Sequence, residues 1–405
     1  MPDPSALTAV AALPGADGAQ RVVVVGTGVV GLATALGCAQ RGVDVVLVGP
    51  APRLPAAKPA GTAFDARIYA ISRGASQLLA EQRVWQQLDV ARVNPVARMD
   101  VHGDDGGRLQ FDALAAGVDR LATICEETEL LRVLWLSCSL APRITHRAAN
   151  FEGAQFEPGG VQVRLSDGAL LPCALLLGAD GKQSAVRSAA GIAAHLKAYG
   201  HTAFVANFSC ERPHHDTAFQ WFTDQGIVAL LPLPGRNVSL VWSAPTALAP
   251  ELTALTPEAF ASRVQERCGG ALGQLQMQGG THAFPLVRTV VDHLVGPRVA
   301  LLGDAAHVVH PLAGQGLNLG LQDVSDLLRL LAEREPWRAL GDPVWLRRYA
   351  RARAEPIALM RGTVGSLAWL FGARDLPLQR LRNLGMSAVN AIAPLKNALV
   401  QHALG

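Results

Sequence analysis

The 405-residue chain lacks several features that would place it in a specialised class of protein. It has no block of lysine and arginine residues, and its formal net charge is only +3, which argues against a nucleic-acid partner. No apolar run approaches the roughly 20 residues that a membrane-spanning helix needs. With 50% hydrophobic and 17% charged residues, the chain can bury a large interior, and its length favours two closely packed domains.

The cysteines do not form the patterns typical of redox or metal-binding sequences. No C-x-x-C pair occurs, and no spacing matches a zinc or iron–sulfur site, so no metal is predicted. Most of the cysteines lie in apolar segments, which favours reduced thiols and a cytoplasmic location. The six are Cys38, Cys125, Cys138, Cys173, Cys210 and Cys268.

The first residues are rich in Ala, Pro, Gly and Asp. They lack the basic start and the apolar centre of a signal peptide. We therefore expect residues 1–20 to form a disordered lead.

Residues 22–31, VVVVGTGVVG, combine a predicted buried strand with a G-x-G-x-x-G turn, and a predicted helix continues to residue 40. Gly26 permits the turn, Gly28 lets the backbone approach a pyrophosphate, and Gly31 lets helix and strand pack closely. A second predicted strand over residues 43–48 completes a βαβ unit. The segment therefore favours dinucleotide binding.

The second strand of this unit ends differently from the usual dinucleotide fold. An acid normally stands there to hold the ribose hydroxyls, but this chain has Gly49 followed by Pro50. Either another group supplies the contact or the affinity for the dinucleotide is reduced.

A second strand–loop–helix corner covers residues 299–331. An apolar run predicts a short strand, which is followed by Gly303-Asp304, a glycine-rich loop and a periodic segment that predicts a helix over residues 317–331. Asp304 can accept hydrogen bonds from sugar-like hydroxyls, and a helix N-terminus favours negative charge. The corner suits a cofactor with a polyol chain and a ring that becomes anionic, such as a flavin; the alternative is glycines that serve only tight packing.

The thirteen residues of this corner, GDAAH followed by PLAGQGLN, resemble the flavin-dependent aromatic hydroxylases related to p-hydroxybenzoate hydroxylase, and especially the ubiquinone-biosynthesis hydroxylases. The resemblance extends from about Arg21 to the end of the chain. It implies an α/β fold with a Rossmann-like FAD-binding domain, an antiparallel β-sheet substrate domain and C-terminal helices. We expect the FAD-binding domain at residues 21–192 and 284–343, the substrate domain at 193–283 and the helical region at 344–405. Short strands are predicted at 203–209, 220–223, 227–231 and 238–242, and a hairpin at 96–111.

The resemblance also implies which residues meet the cofactor. Asp304 is expected at the ribityl chain, residues 311–318 along the isoalloxazine ring, and the Asp180-Gly181 turn at both FAD and the nicotinamide. Arg67 is expected to approach FAD, whereas without the resemblance it would be assigned as a solvated or ion-paired surface residue. The expected cofactor-binding residues are Gly26, Gly28, Gly31, Arg67, Asp180, Gly181, Gly303, Asp304, Pro311, Gly314, Gln315, Gly316, Leu317 and Asn318. His307 and His310 are expected to be structural.

The chain departs from the family where the family usually continues Asn-Arg. Glu127-Thr128 stand there instead, so the Arg expected near the flavin phosphates is absent, and Glu127 and Glu129 add negative charge. Losing this contact and the acid at Gly49 could cost a few kcal/mol, at roughly 1.5–3 for each hydrogen bond to a charged group.

The resemblance implies an FAD-dependent monooxygenase that hydroxylates the ring of a polyprenylated phenol in ubiquinone biosynthesis, using NAD(P)H and O₂ through a C4a-hydroperoxyflavin. No catalytic residue is assigned, because the cofactor carries the chemistry. The alternative is a weakly flavinylated or flavin-free homologue that serves as a lipid-binding or scaffold subunit of a biosynthetic complex. A flavin reductase of prenyl double bonds shares the fold but lacks support from the middle and end of the chain.

The last helices bear on partners and location. Residues 345–371 interleave arginines, Arg353 among them, with apolar residues, so they predict a basic amphipathic surface. It could rest on the inner face of a membrane or on another subunit of a ubiquinone-biosynthesis complex, and a lipid-tailed substrate favours the membrane. The alternative is that these helices pack on their own protein with the arginines in water.

Overall fold

The computed structural model describes residues 20–54, 63–104, 106–309 and 315–372. Residues 1–19 of the predicted lead, His310, Pro311, Gly314 and the last 33 residues lie outside the described residues.

The described chain contains both helices and strands. The helices are α1 (Val29–Gln40), α2 (Arg73–Glu81), α3 (Glu127–Leu140), α4 (Ala185–Ala189), α5 (Ala249–Ala254), α6 (Pro257–Arg267), α7 (Gln315–Ala332) and α8 (Pro343–Gly372). The strands are β1 (Arg21–Val25), β2 (Asp44–Val48), β3 (Ile68–Ile71), β4 (Val93–Val96), β5 (Arg98–His102), β6 (Arg108–Asp112), β7 (Ala122–Glu126), β8 (Ile144–Arg147), β9 (Phe151–Phe156), β10 (Val161–Leu165), β11 (Leu170–Cys173), β12 (Leu175–Gly178), β13 (Ala194–Cys210), β14 (Thr217–Thr223), β15 (Gly226–Leu233), β16 (Asn237–Pro245), β17 (Leu275–Val291), β18 (Val295–Gly296), β19 (Val299–Leu301) and β20 (His307–Val308).

A six-stranded sheet forms the base of the fold, in the order β18-β19-β12-β1-β2-β8. Its strands pair in parallel except β18, which runs antiparallel to β19. At its centre lie the strands predicted at residues 22–25, 175–178 and 299–302. They are apolar along their length because helices cover one face of the sheet and a three-stranded sheet covers the other. The predicted βαβ unit is confirmed, with α1 between the parallel strands β1 and β2.

The two faces of this sheet bury alternate residues of the same strands. Val22 and Val24 pack with Leu32 of α1 and Leu328 of α7. Val23 points the other way and packs with a three-stranded sheet made of β9, β10 and β11. Because successive residues of β1 point to opposite faces of the sheet, both faces of the strand are buried, and β1 lies in the centre of the core.

An eight-stranded sheet stands beside the first, in the order β20-β17-β13-β16-β15-β14-β5-β6. Its pairs are antiparallel except β14 with β5, and it contains the strands predicted between residues 203 and 242. The hairpin predicted at residues 96–111 is present as β5 and β6 and joins this sheet. Strand β17 runs from residue 275 to 291 and so continues past residue 283, where we expected the substrate domain to end. The fold class is the one that the sequence predicted, whereas the division into domains stays a prediction.

Helix α8 packs against the described core along one side. Trp345 and Tyr349 are fully buried, and the Tyr349 hydroxyl donates to the carbonyl of Leu301 at 2.9 Å. The expectation that the arginines of this helix face water or a partner was wrong for Arg353, which is 2% exposed. It is buried because two acidic residues of α7, Asp323 and Asp326, offer it carboxylates within the fold.

Candidate functional site

A cavity of about 830 Å³ lies where the carboxyl ends of β1, β2 and β12 meet the eight-stranded sheet. Ligands in parallel α/β sheets bind at this edge, because the loops there are free to surround a bound molecule. One wall consists of glycine turns and carboxylates from the parallel sheet, and the other is apolar. Nine of the predicted cofactor-binding residues line the cavity: Gly26, Gly28, Arg67, Asp180, Gly181, Gly303, Asp304, Gly316 and Leu317.

The first glycine turn has three glycines with different environments. A side chain on Gly26 would place its Cβ 2.1 Å from the carbonyl oxygen of Ala179, and one on Gly31 would come within 2.0 Å of the carbonyl oxygen of Gly26. Gly28 is exposed, and its Cβ would meet no atom within 4 Å. Gly26 and Gly31 therefore let α1 and β12 approach the turn, while Gly28 leaves bare backbone at the start of α1, where a phosphate is favoured.

Asp180 follows β12 and faces the same cavity. Its Oδ2 accepts a hydrogen bond from the backbone N–H of Val186 at 3.1 Å. Its Oδ1 is buried and has no hydrogen-bond partner in the structure. A buried oxygen without a partner is costly, so this atom is suited to accept a hydrogen bond from a ligand hydroxyl or N–H.

Asp304 lies in the short 3₁₀ turn Gly303–Ala305 that follows β19. Gly303 has φ +58°, and its Cβ would lie 3.2 Å from Val30 of α1, so the turn is tightly held between helices. The Asp304 side chain is exposed toward the cavity, while the surrounding protein shields its carboxyl from bulk water. This shielding raises the pKa of the carboxyl above the ordinary range. His307 and Arg67 oppose that rise. The turn thus presents a carboxylate to the cavity.

A buried ionic network stands behind this turn. Asp323 of α7 is fully buried, and its Oδ2 accepts from the backbone N–H of Gly303 at 2.9 Å and from Nε2 of His307 at 2.7 Å. Its Oδ1 accepts from Nε of Arg353 at 2.7 Å. Burial alone would raise the pKa of Asp323, but these three donors lower it, so Asp323 is a carboxylate and His307 Nε2 carries the hydrogen. His307 therefore has the structural environment that we expected.

The start of α7 also lines the cavity. Gln315 is its first residue, and Gly316 and Leu317 line the cavity. Asn318 does not line it: its Oδ1 accepts from the backbone N–H of Ser72 at 2.9 Å, and its Nδ2 donates to the carbonyl of Ala70 at 2.8 Å. Asn318 thus joins α7 to β3 and α2.

Arg67 and Glu127 face each other on the cavity wall. Arg67 Nη1 lies 3.1 Å from Oε1 of Glu127, and the Tyr69 hydroxyl donates to the same oxygen at 3.0 Å. Arg67 is an exposed, ion-paired residue that also lines the cavity, and its approach to FAD stays a prediction. Thr128 points elsewhere, because its backbone N–H and its hydroxyl both donate to Asp65.

Several polar residues of the cavity wall were not predicted from the sequence. Lys182, Asn150 and Tyr69 all line it. Asn150 belongs to the same rim as Gly49, whose N–H donates to the carbonyl of Arg147 at 3.1 Å. Lys182 follows the Asp-Gly turn, which was a usable signal, whereas nothing in the sequence places Asn150 beside the end of β2.

The apolar wall comes from the eight-stranded sheet. Side chains of β13, β15, β16 and β17 form it: Val205, Ala229, Leu231, Val241, Phe284 and Leu286. Phe284 remains 41% exposed at the margin of the cavity. A flat apolar ring fits against such a surface without leaving buried polar groups unpaired.

The residues present fit FAD. The bare backbone at Gly28 and the N-terminus of α1 suit a diphosphate, and the lone Asp180 oxygen and Asp304 suit polyol hydroxyls. The individual contacts stay predictions.

Comparisons with known proteins also indicate an FAD-binding protein. A family model described as "FAD binding domain" matches residues 19–359. The chain is 35% identical to ubiquinone hydroxylase UbiL of Rhodospirillum rubrum, over 96% of this chain and 90% of that protein. It is 33% identical to 3-demethoxyubiquinol 3-hydroxylase of Escherichia coli, over 95% of this chain and 98% of that protein. The fold is similar to that of P. aeruginosa PqsL in complex with 2-aminobenzoylacetate, with a TM-score of 0.75 at 24% identity over 90% of this chain and 98% of PqsL.

Proposed function

Because the chain belongs to the FAD binding domain family, and within it to the ubiquinone hydroxylases, we propose that it is an FAD-dependent monooxygenase that hydroxylates the ring of a polyprenylated phenol in ubiquinone biosynthesis. When bound and reduced by NAD(P)H, FAD would activate O₂ so that one oxygen atom is transferred to the ring. The other oxygen atom leaves as water.

The protein's own residues would bind and orient the cofactor and shield the reacting centre from water. The turn at Gly28 and the helix α1 would hold the diphosphate, and Asp180 and Asp304 the chain that links it to the flavin ring. Gly316 at the start of α7 exposes backbone N–H groups and the positive end of a helix dipole, which stabilises negative charge on a ring beside it. The apolar wall excludes water from the reacting centre.

The observation that carries the proposal is the two-sided cavity. A glycine and carboxylate wall fits a flavin nucleotide, and an apolar wall with Phe284 at its margin fits a phenol whose prenyl tail continues outward. A small, polar phenol would gain little from such a wall, because the hydrophobic effect scales with the apolar area removed from water.

The test is an assay of purified protein with FAD, NADH or NADPH, and two phenols that differ only in a two-unit prenyl tail. We expect the prenylated phenol to gain one oxygen atom, as detected by mass spectrometry. Phe284→Asp should raise KM for the prenylated phenol about tenfold and leave KM for the tail-less phenol unchanged, because it places a charge only on the tail's path. Hydroxylation of the tail-less phenol alone, or of neither, would reject the proposed substrate.

A second proposal concerns where in the cell the protein works. We propose that the protein works in the cytoplasm at the membrane surface, where a prenylated phenol partitions, with other subunits of a ubiquinone-biosynthesis complex. Arg347 and Arg351 are exposed on α8, although Arg353 and Arg348 bind acidic residues of the protein itself. Within the described residues, no helix is long and apolar enough to cross a bilayer. Flotation with anionic liposomes tests the proposal, and protein that stays at the bottom of the gradient would reject it.

The flavin-free scaffold is not favoured. The family match and the cavity with its carboxylates both point to a cofactor-binding protein. An absorption spectrum of the purified protein with added FAD distinguishes the two functions.

A further inference from the structure

One ion pair faces the cofactor cavity from its wall. Arg67 precedes β3, and Glu127 is the first residue of α3. Arg67 Nη1 lies 3.1 Å and 3.3 Å from the two oxygens of Glu127, and Tyr69 donates to Oε1 at 3.0 Å. A single carboxylate therefore engages both donors of this part of the wall.

The backbone explains why this carboxylate faces the cavity. The antiparallel pairing of β3 with β7 ends at Ile68 opposite Glu126, and the N–H of Glu127 then donates to the carbonyl of Arg67 at 3.1 Å. Glu126 is turned inward, where it binds Arg92, and Thr128 binds Asp65. Of these three consecutive residues, only Glu127 lines the cavity.

The charges on the described part of the cavity wall do not favour an anion. Asp180, Asp304 and Glu127 are the carboxylates there, against the cations Arg67 and Lys182. FAD is anionic, and Arg67 is the guanidinium on this described wall that could pair with it. In the structure that guanidinium is already neutralised by Glu127.

We propose that Glu127 competes with FAD for Arg67 and so sets a lower affinity for the cofactor than the shape of the cavity allows. The pair tunes binding and does not block it, because the Arg67 side chain is 70% exposed and such exposed pairs are weak enough for a better anion to open. The inference depends on FAD binding, not on the substrate.

The experiment titrates apoprotein with FAD and follows the quenching of flavin fluorescence. Glu127→Gln keeps the size and the acceptor for Tyr69 but removes the charge, and we expect FAD to bind about fivefold more tightly. The gain should shrink in high salt, since screening weakens exposed charges. Glu129→Gln is the matched control: it lies in the same turn of α3, but its carboxylate binds Arg132 and the N–H of Asp89 and does not line the cavity. We expect it to leave FAD affinity within about twofold of wild type, with thermal melting as the check on folding.

A double-mutant cycle isolates the pair. Arg67→Met should weaken FAD binding about twofold in wild type, where Glu127 occupies the guanidinium, and about tenfold in the Glu127→Gln background, where Arg67 is released. Equal effects in the two backgrounds would show that Arg67 is not withheld and would overturn the proposal. So would unchanged or weaker FAD binding by Glu127→Gln. Wild-type protein that binds no FAD at any concentration would instead contradict FAD binding itself.

Discussion

The buried carboxylate of Asp323 offers the sharpest test of how the cofactor turn is held. It accepts three hydrogen bonds, from Gly303, His307 and Arg353, and so connects the Gly303–Ala305 turn to α7 and α8. Asp323→Asn removes the charge and one acceptor oxygen. The amide oxygen can serve Gly303 and His307 or else Arg353, but the amide NH₂ would then face a donor.

The expected loss follows from burial. Removing one partner of a buried ion pair costs about 3–5 kcal/mol, because the remaining charge is left unpaired. Arg353 keeps Asp326 at 3.0 Å and the carbonyl of Leu319 at 3.3 Å, which places the loss at the lower end, about 3 kcal/mol. The turn that carries Asp304 should loosen as well, and FAD affinity should fall about tenfold.

Urea denaturation of the apoprotein measures this loss, with FAD titration as a second readout. The donors hold the pKa of Asp323 below its ordinary value, so this stabilisation is present above the unfolded pKa of about 4 and is lost as pH falls through the folded pKa. Asp323→Asn should therefore remove that part of the acid-side decline in stability.

Asp326→Asn is the matched control, because Asp326 binds the same arginine but is 25% exposed. We expect it to cost about 1 kcal/mol or less. If Asp323→Asn lost no more stability than this control, the buried network would not hold the turn.

Three further predictions follow from individual contacts. Gly28→Ala should leave the apoprotein as stable as wild type but weaken FAD binding at least tenfold. Gly31→Ala should instead lower the melting temperature of the apoprotein itself, because its Cβ would collide with backbone, whereas a Cβ on Gly28 would meet no atom. Asp180→Asn should weaken FAD binding about tenfold without changing apoprotein stability by more than about 1 kcal/mol, measured by titration and urea denaturation; unchanged affinity would show that the lone oxygen meets no ligand. The six cysteines are free and buried, and burial raises the pKa of the Cys38 thiol to about 12. A thiol reagent at pH 8 should therefore modify none of them before unfolding and all of them after it. Fast labelling of the native protein would contradict the structure.

Much of the fold could be predicted because its signals are local. The valine run and glycine turn around Gly26 determine a strand, a sharp turn and a helix within about 20 residues, and the apolar segments before Asp180 and Asp304 do the same. Parallel strands that end in polar turns must bring those turns to one edge of a sheet. The FAD-binding fold and its family therefore followed from the sequence, and the comparisons confirm both.

Other features could not be predicted, because they depend on residues far apart in the chain. Arg353 was expected at the surface, since a basic residue in an amphipathic helix usually faces water, yet Asp323 lies 30 positions earlier and provides a buried partner. Asn318 stays a predicted cofactor-binding residue, and its side-chain hydrogen bonds to the backbone of Ser72 and Ala70 had no local signal in the sequence.

The sequence alone determined which segments form the strands, turns and helices of a flavin-binding fold, because hydrophobic period and glycine placement act over a few residues. Only the tertiary structure decided which charges meet in the cavity. Arg67 and Glu127 are 60 residues apart, and neither side chain carries a local signal of its partner. Their pairing arises from the register of β3 against β7, a long-range property of the folded chain.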